Sequence, residues 1–315
     1  MLTRRQVWYT LHSGSWGLLL AFFLMNTSMI TGQGSVAIVS VDDRGATTSI
    51  AANENVAVQP FTFTRNLIFF ELDVDGRAGS YILDTGAPGL IVNVREEFSD
   101  VASRESGTGA GGAMRVSDHH VSELQIGNRT ISNYWATGLD LRSFEQRTGQ
   151  RVDGFVGYDL LSGGELRIDY KKQQFRLLKS QHRPLHGGAS PLDAHKFFMV
   201  DHLPVVKLKF NGRVHYFALD TGAGSNLIDP AILGQQLTTP TDSQINIQGL
   251  DGRPVDYPIF EVTGNPLVEH QQFVGIDLDH LQSEGKVKIS GILGSPFLSQ
   301  YTIGIDYRRR KLYFW

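Results

Sequence analysis

The chain has 315 residues, 41% of them hydrophobic and 19% charged, and a formal net charge of −3. This composition excludes a disordered or fibrous protein, and the length suits two domains of about 120–150 residues better than one small core. No basic excess exists to neutralise a phosphate backbone, which argues against a nucleic-acid partner, and the absence of cysteine removes disulfides, thiolate metal sites, cysteine nucleophiles and a lipid-attachment cysteine together.

At the N-terminus, Arg4 and Arg5 precede the apolar run Trp16–Met25, and polar Asn26, Thr27 and Ser28 follow. Residues 1–34 are therefore expected to be a signal peptide, cleaved around Thr31–Ser35, that exports the protein to the periplasm or the medium. An uncleaved membrane anchor is the alternative, although the run is shorter than the roughly 20 apolar residues of a spanning helix. Residues 35–57 are small, polar and weakly patterned, and read as a leader arm. No later segment is apolar enough to span a bilayer, so the rest of the chain is expected to be soluble.

Beyond the arm the sequence repeats itself. Residues 67–93 read LIFFELDVDGRAGSYILDTGAPGLIVN, and residues 203–229 read LPVVKLKFNGRVHYFALDTGAGSNLID. A shift of 136 superimposes Gly76 on Gly212 and Asp84-Thr85-Gly86-Ala87 on Asp220-Thr221-Gly222-Ala223. A shift of 137 then carries Gly127 onto Gly264, Gly157 onto Gly294, and Ile168-Asp169-Tyr170 onto Ile305-Asp306-Tyr307. Two lobes follow, residues 58–180 and 196–315, joined by a linker at 181–195 rich in Pro, Gly and His.

Each lobe reads as β. Asp75-Gly76 and Asn211-Gly212 sit between alternating apolar runs and supply the positive φ angles of a tight hairpin. Terminal hairpins are expected from Leu166–Tyr170 with Phe175–Leu178, and from Thr302–Tyr307 with Leu312–Trp315. Short helices are expected at Leu139–Gln146, Leu278–Ser283 and Ser295–Gln300. Long helical periods are few and glycine is abundant (34 residues), so the class is all-β.

The two Asp-Thr-Gly-Ala motifs are the strongest chemical signal. A carboxylate can hold and polarise a water. The Thr hydroxyl can cross-link the two motifs beneath it. Gly lets the backbone approach the carboxyl and donate an N–H with no side chain in the way. One Asp-Thr-Gly alone would be weak, but two at equivalent repeat positions, each behind an apolar strand, are specific. Each is also followed by two apolar residues and a glycine. These are Phe155-Val156-Gly157 and Ile292-Leu293-Gly294, whose glycines lie 73 and 74 residues after Asp84 and Asp220.

With these features the chain resembles the aspartic proteases of the pepsin and retropepsin type. The resemblance covers both lobes and excludes the first 57 residues. It implies an acid-protease fold of two pseudo-twofold-related, β-barrel-like lobes with a few short helices, each lobe giving one Asp to a shared cleft. It further implies a monomeric aspartic endopeptidase in which Asp84 and Asp220 are catalytic and Thr85, Gly86, Thr221 and Gly222 support them. Such an enzyme uses neither metal nor cofactor. Its polypeptide substrate binds as an extended strand under flap hairpins. Flap candidates are Gly107–Met114, with Gly109, Gly111 and Gly112, and Gln248–Arg253, with Gly249, Asp251 and Gly252. The first tip lacks the Tyr of the pepsin flap. The alternative is a catalytically silent peptide-binding protein on the same fold.

Two facing carboxyls cannot both ionise easily and would hold one proton between them. The near symmetry of the lobes leaves the acid and base roles open at this level. Ala87 and Ala223 stand where pepsin-like enzymes carry Ser or Thr and cannot donate a side-chain hydrogen bond. The expected pH optimum is therefore mildly acidic, about 4 to 6.

Other signals are weaker. Gly107-x-Gly109-x-x-Gly112 matches a dinucleotide fingerprint but lacks the strand before it and the helix after it. Asp118-His119-His120 places neighbours on opposite faces of a strand, which disfavours a metal site. Arg308–Lys311 reads as a solvated hairpin turn and Asn128-Arg129-Thr130 as a glycosylation sequon. Asp169 and Asp306 read as structural.

Overall fold

The computed structural model describes residues 40–41, 47–50, 57–95, 105–109, 112–127, 129–210, 212–233, 238–248, 254–278 and 287–315. The expected signal segment, most of the leader arm and most of the expected helix Leu278–Ser283 lie outside the described residues. Strands make up 53% of the structure and helix 8%, which makes it all-β. No helix among the described residues is long and apolar enough to cross a membrane.

The first half carries β1 (Ser40–Val41), β2 (Thr47–Ile50), β3 (Gln59–Pro60), β4 (Thr62–Thr64), β5 (Leu67–Val74), β6 (Arg77–Leu83), β7 (Leu90–Asn93), β8 (Glu105–Gly109), β9 (Gly112–Ile126) and β10 (Arg129–Leu139). Helix α1 (Arg142–Thr148), β11 (Gly154–Val156), the single turn α2 (Tyr158–Leu161), β12 (Glu165–Asp169) and β13 (Gln174–Leu178) complete it. The second half runs through β14 (Asp193–Val200), β15 (Leu203–Phe210), β16 (Arg213–Leu219), β17 (Leu227–Ile228), β18 (Thr238–Gln248), β19 (Pro254–Val262), β20 (Gln271–Gly275), β21 (Gly291–Leu293), α3 (Ser295–Leu298), β22 (Thr302–Asp306) and β23 (Lys311–Phe314).

In the first half β5 and β6 form a hairpin through Asp75 and Gly76, at φ 53° and 73°, as the Asp-Gly pair requires. Six strands in the order β10-β7-β11-β6-β5-β9 close into a barrel, because β9 pairs with β10 along most of its length and then with β5 through Asp73↔Gln125 and Val74↔Leu124. The second half repeats the order as β19-β20-β17-β21-β16-β15, with β18 on the outer edge of β19, but among the described residues no pairing joins β19 to β15. The resemblance implied two barrel-like lobes; among the described residues the first closes as a barrel and the second is part of a large sheet. Its β18 shifts register between Pro240 and Gln244, and a proline there offers no N–H to a neighbour.

A six-stranded sheet, β3-β13-β12-β22-β23-β14, joins the halves. Its centre is the antiparallel pair β12–β22, in register from Glu165↔Asp306 to Asp169↔Thr302. The apolar face of this sheet belongs to a core shared by both halves, with Leu166, Ile168 and Phe175 from one side and Phe297, Ile303 and Ile305 from the other. A smaller core fills each half, around Phe144 and Phe155 in the first and Val205 and Ile292 in the second.

Some boundaries differ from the sequence reading. The first helix starts at Arg142, because β10 keeps Leu139 in its ladder with β7, and it ends at Gly149 in the left-handed region (φ 62°). The single turn α2 was not expected. Strand β14 begins at Asp193, inside the stretch read as linker, where Asp193 pairs with Phe314. The remainder of that stretch is tied onto the junction sheet: Arg167 donates to the Leu185 carbonyl (2.5 Å), His186 meets Asp169 (3.1 Å) and the Trp315 indole donates to Ala189 (3.1 Å). Parts of the leader arm are strands, with β2 paired to β10 from Thr47↔Ser132 to Ile50↔Arg129.

The apolar-apolar-Gly element has a clear structural role. Strand β11 lies parallel to β6 and antiparallel to β7, and β21 repeats this between β16 and β17. The strand ends with its glycine packed on backbone: a Cβ on Gly294 would lie 2.5 Å from the Ser225 carbonyl oxygen and 2.6 Å from that of Ala223. Neither side can give way. Gly294→Ala is expected to lose about 2–4 kcal/mol of stability in urea denaturation. Gly163→Ala, where φ is +96° and nothing lies within 4 Å, should cost only about 1 kcal/mol.

Candidate active site

Each Asp-Thr-Gly loop leaves a buried strand. Leu83 ends β6, Leu219 ends β16, and both are fully buried. The Asp84 N–H donates to the Val156 carbonyl (2.9 Å) and the Asp220 N–H to that of Leu293 (3.1 Å), so the third strand clamps each loop at its root. The Tyr158 and Ser295 N–H groups then donate to Ala87 and Ala223 (both 2.9 Å) and fix the far side.

The two threonines lock the loops together. Thr85 N–H donates to Thr221 Oγ1 (3.0 Å), and Thr221 N–H donates to Thr85 Oγ1 (3.0 Å). Each hydroxyl in turn donates to the strand end of the opposite half, Thr85 to the Leu219 carbonyl (3.0 Å) and Thr221 to that of Leu83 (2.8 Å). Both threonines are fully buried, so all four bonds are shielded from water.

Above this lattice the carboxyls of Asp84 and Asp220 meet in a shared hydrogen bond, and both residues are only 1% exposed. Asp84 Oδ1 accepts from the N–H groups of Gly86 (2.8 Å) and Ala87 (3.1 Å), and Asp220 Oδ1 accepts from Gly222 (2.8 Å). The glycines are required by the opposing acid. A Cβ on Gly86 would sit 2.6 Å from Asp220 Cγ, and one on Gly222 would be closer still to Asp84. The sequence thus brings Asp84, Thr85, Gly86, Asp220, Thr221 and Gly222 into one cluster.

Burial, the facing Asp220 charge and the bond to Asp220 hold Asp84 well above the usual carboxylate range. Burial pushes Asp220 up to about 6, against the bond from Asp84 and the backbone donors. Both carboxyls are raised, so the pair holds one proton between them over the range in which an ordinary pair of carboxylates would both be ionised.

Of the other site candidates, Gly109 and Gly112 pair with each other at the end of the β8–β9 hairpin. Gly111, Gly249, Asp251 and Gly252 lie outside the described residues. Asp118, His119 and His120 do not converge: buried His119 bonds Ser117 Oγ (3.0 Å), while His120 bonds Asn133 Oδ1 (2.7 Å) outside. Two cross-lobe residues escaped the sequence reading. The amide of Asn66 donates to the Gly224 carbonyl (3.0 Å), and buried His202 donates from Nε2 to the Gly86 carbonyl (2.8 Å). They occupy equivalent repeat positions, each just before the first strand of its copy, and differ in type, which hid them. No protein-family model matches the chain, and the search of curated proteins finds no match.

The threonine lattice and the carboxyl pair respond to different tests. Thr85→Val strands the Thr221 N–H and the Leu219 carbonyl and should cost about 2–4 kcal/mol in urea denaturation, while Thr85→Ser should stay within about 1 kcal/mol. An acid raised above 3.8 favours its protonated form in the folded protein, so folding is disfavoured progressively as pH rises from 3.8 towards 6. Asp220→Asn escapes this. Its melting temperature should match the wild type at pH 4 and exceed it at pH 8.

Proposed function

We propose that the chain is an aspartic endopeptidase of the pepsin and retropepsin type, with the acid-protease fold, that hydrolyses polypeptides with Asp84 and Asp220. The observation that carries this reading is the meeting of two buried Asp-Thr-Gly carboxyls in one hydrogen bond, each flanked by the other loop's glycine and set over a reciprocal threonine lattice. A simple pair of turns in a duplicated β protein has no need for two acids forced together at this cost.

The chemistry follows from one proton shared by two facing acids. The ionised carboxyl draws a proton from a water held between them, and that water attacks the substrate carbonyl carbon. The protonated carboxyl donates to the carbonyl oxygen as the tetrahedral intermediate forms. On collapse the leaving amine takes the proton that the first carboxyl drew from the water, a hydroxyl of the intermediate returns its proton to the second carboxyl, and the peptide C–N bond breaks. The backbone donors from Gly86, Ala87 and Gly222 hold both carboxyls in place, so little reorganisation accompanies the charge shift. The β8–β9 and β18–β19 hairpins supply strand edges for an extended substrate. The N-terminal basic and apolar segment fits an exported enzyme.

The test is digestion of denatured casein with and without a pepstatin-like inhibitor. Asp84→Asn and Asp220→Asn should each lower the rate at least about 1,000-fold. Cleavage at the wild-type rate in either variant overturns the mechanism, and peptide binding without cleavage by the wild type would favour the silent binding protein. The profile of kcat/KM against pH should rise through an acidic limb near 6. A maximum near pH 2 would contradict the burial argument.

A further inference from the structure

The two halves are not equivalent around the carboxyl pair. Between β14 and β15 the chain turns tightly at Asp201 (φ 55°), and the next residue, His202, is buried and reaches 116 positions back in the sequence to the Gly86 carbonyl at 2.8 Å. A carbonyl oxygen only accepts, so Nε2 carries the hydrogen. That carbonyl belongs to the same peptide unit as the Ala87 N–H, and the Ala87 N–H donates to Asp84 Oδ1 at 3.1 Å. His202, the Gly86–Ala87 peptide and Asp84 therefore form a continuous chain of donors and acceptors. Hydrogen bonds in series polarise one another, most of all where water is excluded.

The twin position carries no such relay. Asn66, at the place of His202 in the first copy, donates to the Gly224 carbonyl, two residues further along the loop. The backbone donors to Asp220 come instead from Gly222, Ala223 and Gly86. A duplicated scaffold thus presents an imidazole relay to one acid and a plain backbone tie beside the other.

We propose that His202 is a positioning residue that, through the Gly86–Ala87 peptide, fixes the orientation of Asp84 and makes two otherwise equivalent carboxyls unlike. The inference rests on the reading of Asp84 and Asp220 as the reacting pair. With Oδ1 of Asp84 held by the Gly86 and Ala87 N–H groups, the relay favours the ionised form of Asp84 and leaves its other oxygen facing Asp220. The titratable groups that face this arrangement are Asp220 across the pair and Tyr307 just beyond β22, whose phenol Asp84 helps to raise. Tyr158 stands against Tyr307, and Asp201 precedes His202 in its turn.

The experiment follows the carboxyls directly, by carbon-13 NMR titration of labelled aspartate in the wild type, His202→Leu, His202→Gln and Asn66→Ala. Asp84→Asn and Asp220→Asn assign the two signals. His202→Leu removes the donor and should move the Asp84 titration up by about half a pH unit, with kcat on a peptide lowered about tenfold and KM held within about twofold. His202→Gln restores an N–H at the same reach and should return the titration to the wild-type position, while Asn66→Ala should leave it unmoved. His202→Phe is the second donor-free variant if the leucine protein does not fold. A His202→Leu titration that superposes on the wild type overturns the proposal. So does a folded glutamine variant that fails to restore it, or an Asn66→Ala variant that shifts it equally. A wild type that cleaves no peptide, with the leucine shift intact, overturns the peptidase reading and supports this one.

Discussion

Two carboxyls buried against each other repel when ionised and lose hydration in either state, so the pairing of Asp84 with Asp220 has to be imposed by everything around it. The imposition starts with the threonine lattice. Its four bonds run from one half of the chain to the other, and each satisfies a backbone group at the root of the opposite loop. Neither half could complete the lattice alone, because each hydroxyl donates to the strand end that precedes the other half's aspartate. Site formation and lobe docking are therefore one event. A loosened lobe interface would expose buried N–H and C=O groups at the same moment that it separated the acids.

The junction sheet does the same work at larger scale. Strands β12, β13 and β3 come from the first half and β22, β23 and β14 from the second, and the two blocks meet with no gap in the ladder at β12–β22. The shared core on its apolar face makes separate folding of either half costly, since Leu166, Ile168, Ile303 and Ile305 would each lose their partners. The segment between the halves is part of this sheet's cover, not a free tether. Its carbonyls and the His186 ring are engaged by Arg167, Trp315 and Asp169. The placement of the two acids is thus set from below, by the joined sheet and the threonine lattice, as well as by the loops that carry them.

Legibility in the sequence followed the physics of each feature. The Asp-Thr-Gly loops could be read because three residue types are each required: an acid to face its twin, a hydroxyl to cross over, and a glycine where a Cβ would strike the opposite carboxyl. The terminal hairpins could be read from alternation around a polar turn. The turn α2 could not, because Tyr158–Leu161 is too short to show a helical period. Barrel closure in the first half was hidden as well. It depends on whether a long strand bends far enough to reach a second neighbour, which β9 does through Gln125 and Leu124, and no local pattern encodes that reach. Strand β14 was masked by the Pro- and Gly-rich residues before it, although its own Phe197–Val200 is apolar.

Duplication explains the scaffold but leaves a chemical difficulty. Two facing acids that share one proton differ in state at any moment, and a perfect twofold would leave them the same on average. Burial raises both carboxyls here, so they titrate as a pair. The inner ring of contacts is nearly symmetric: strand, threonine, glycine and the following alanine match in both halves. The differences lie one layer out, where repeat positions have diverged most freely, as in Asn66 against His202 and Tyr158 against Ser295. Ser295 Oγ donates to the Thr221 carbonyl, whereas the ring of Tyr158 stands edge-on to Tyr307. A symmetric inner ring keeps the acids face to face, and the asymmetry between them lies in the outer layer. Divergence confined to that layer can differentiate the acids without disturbing the lattice that holds them.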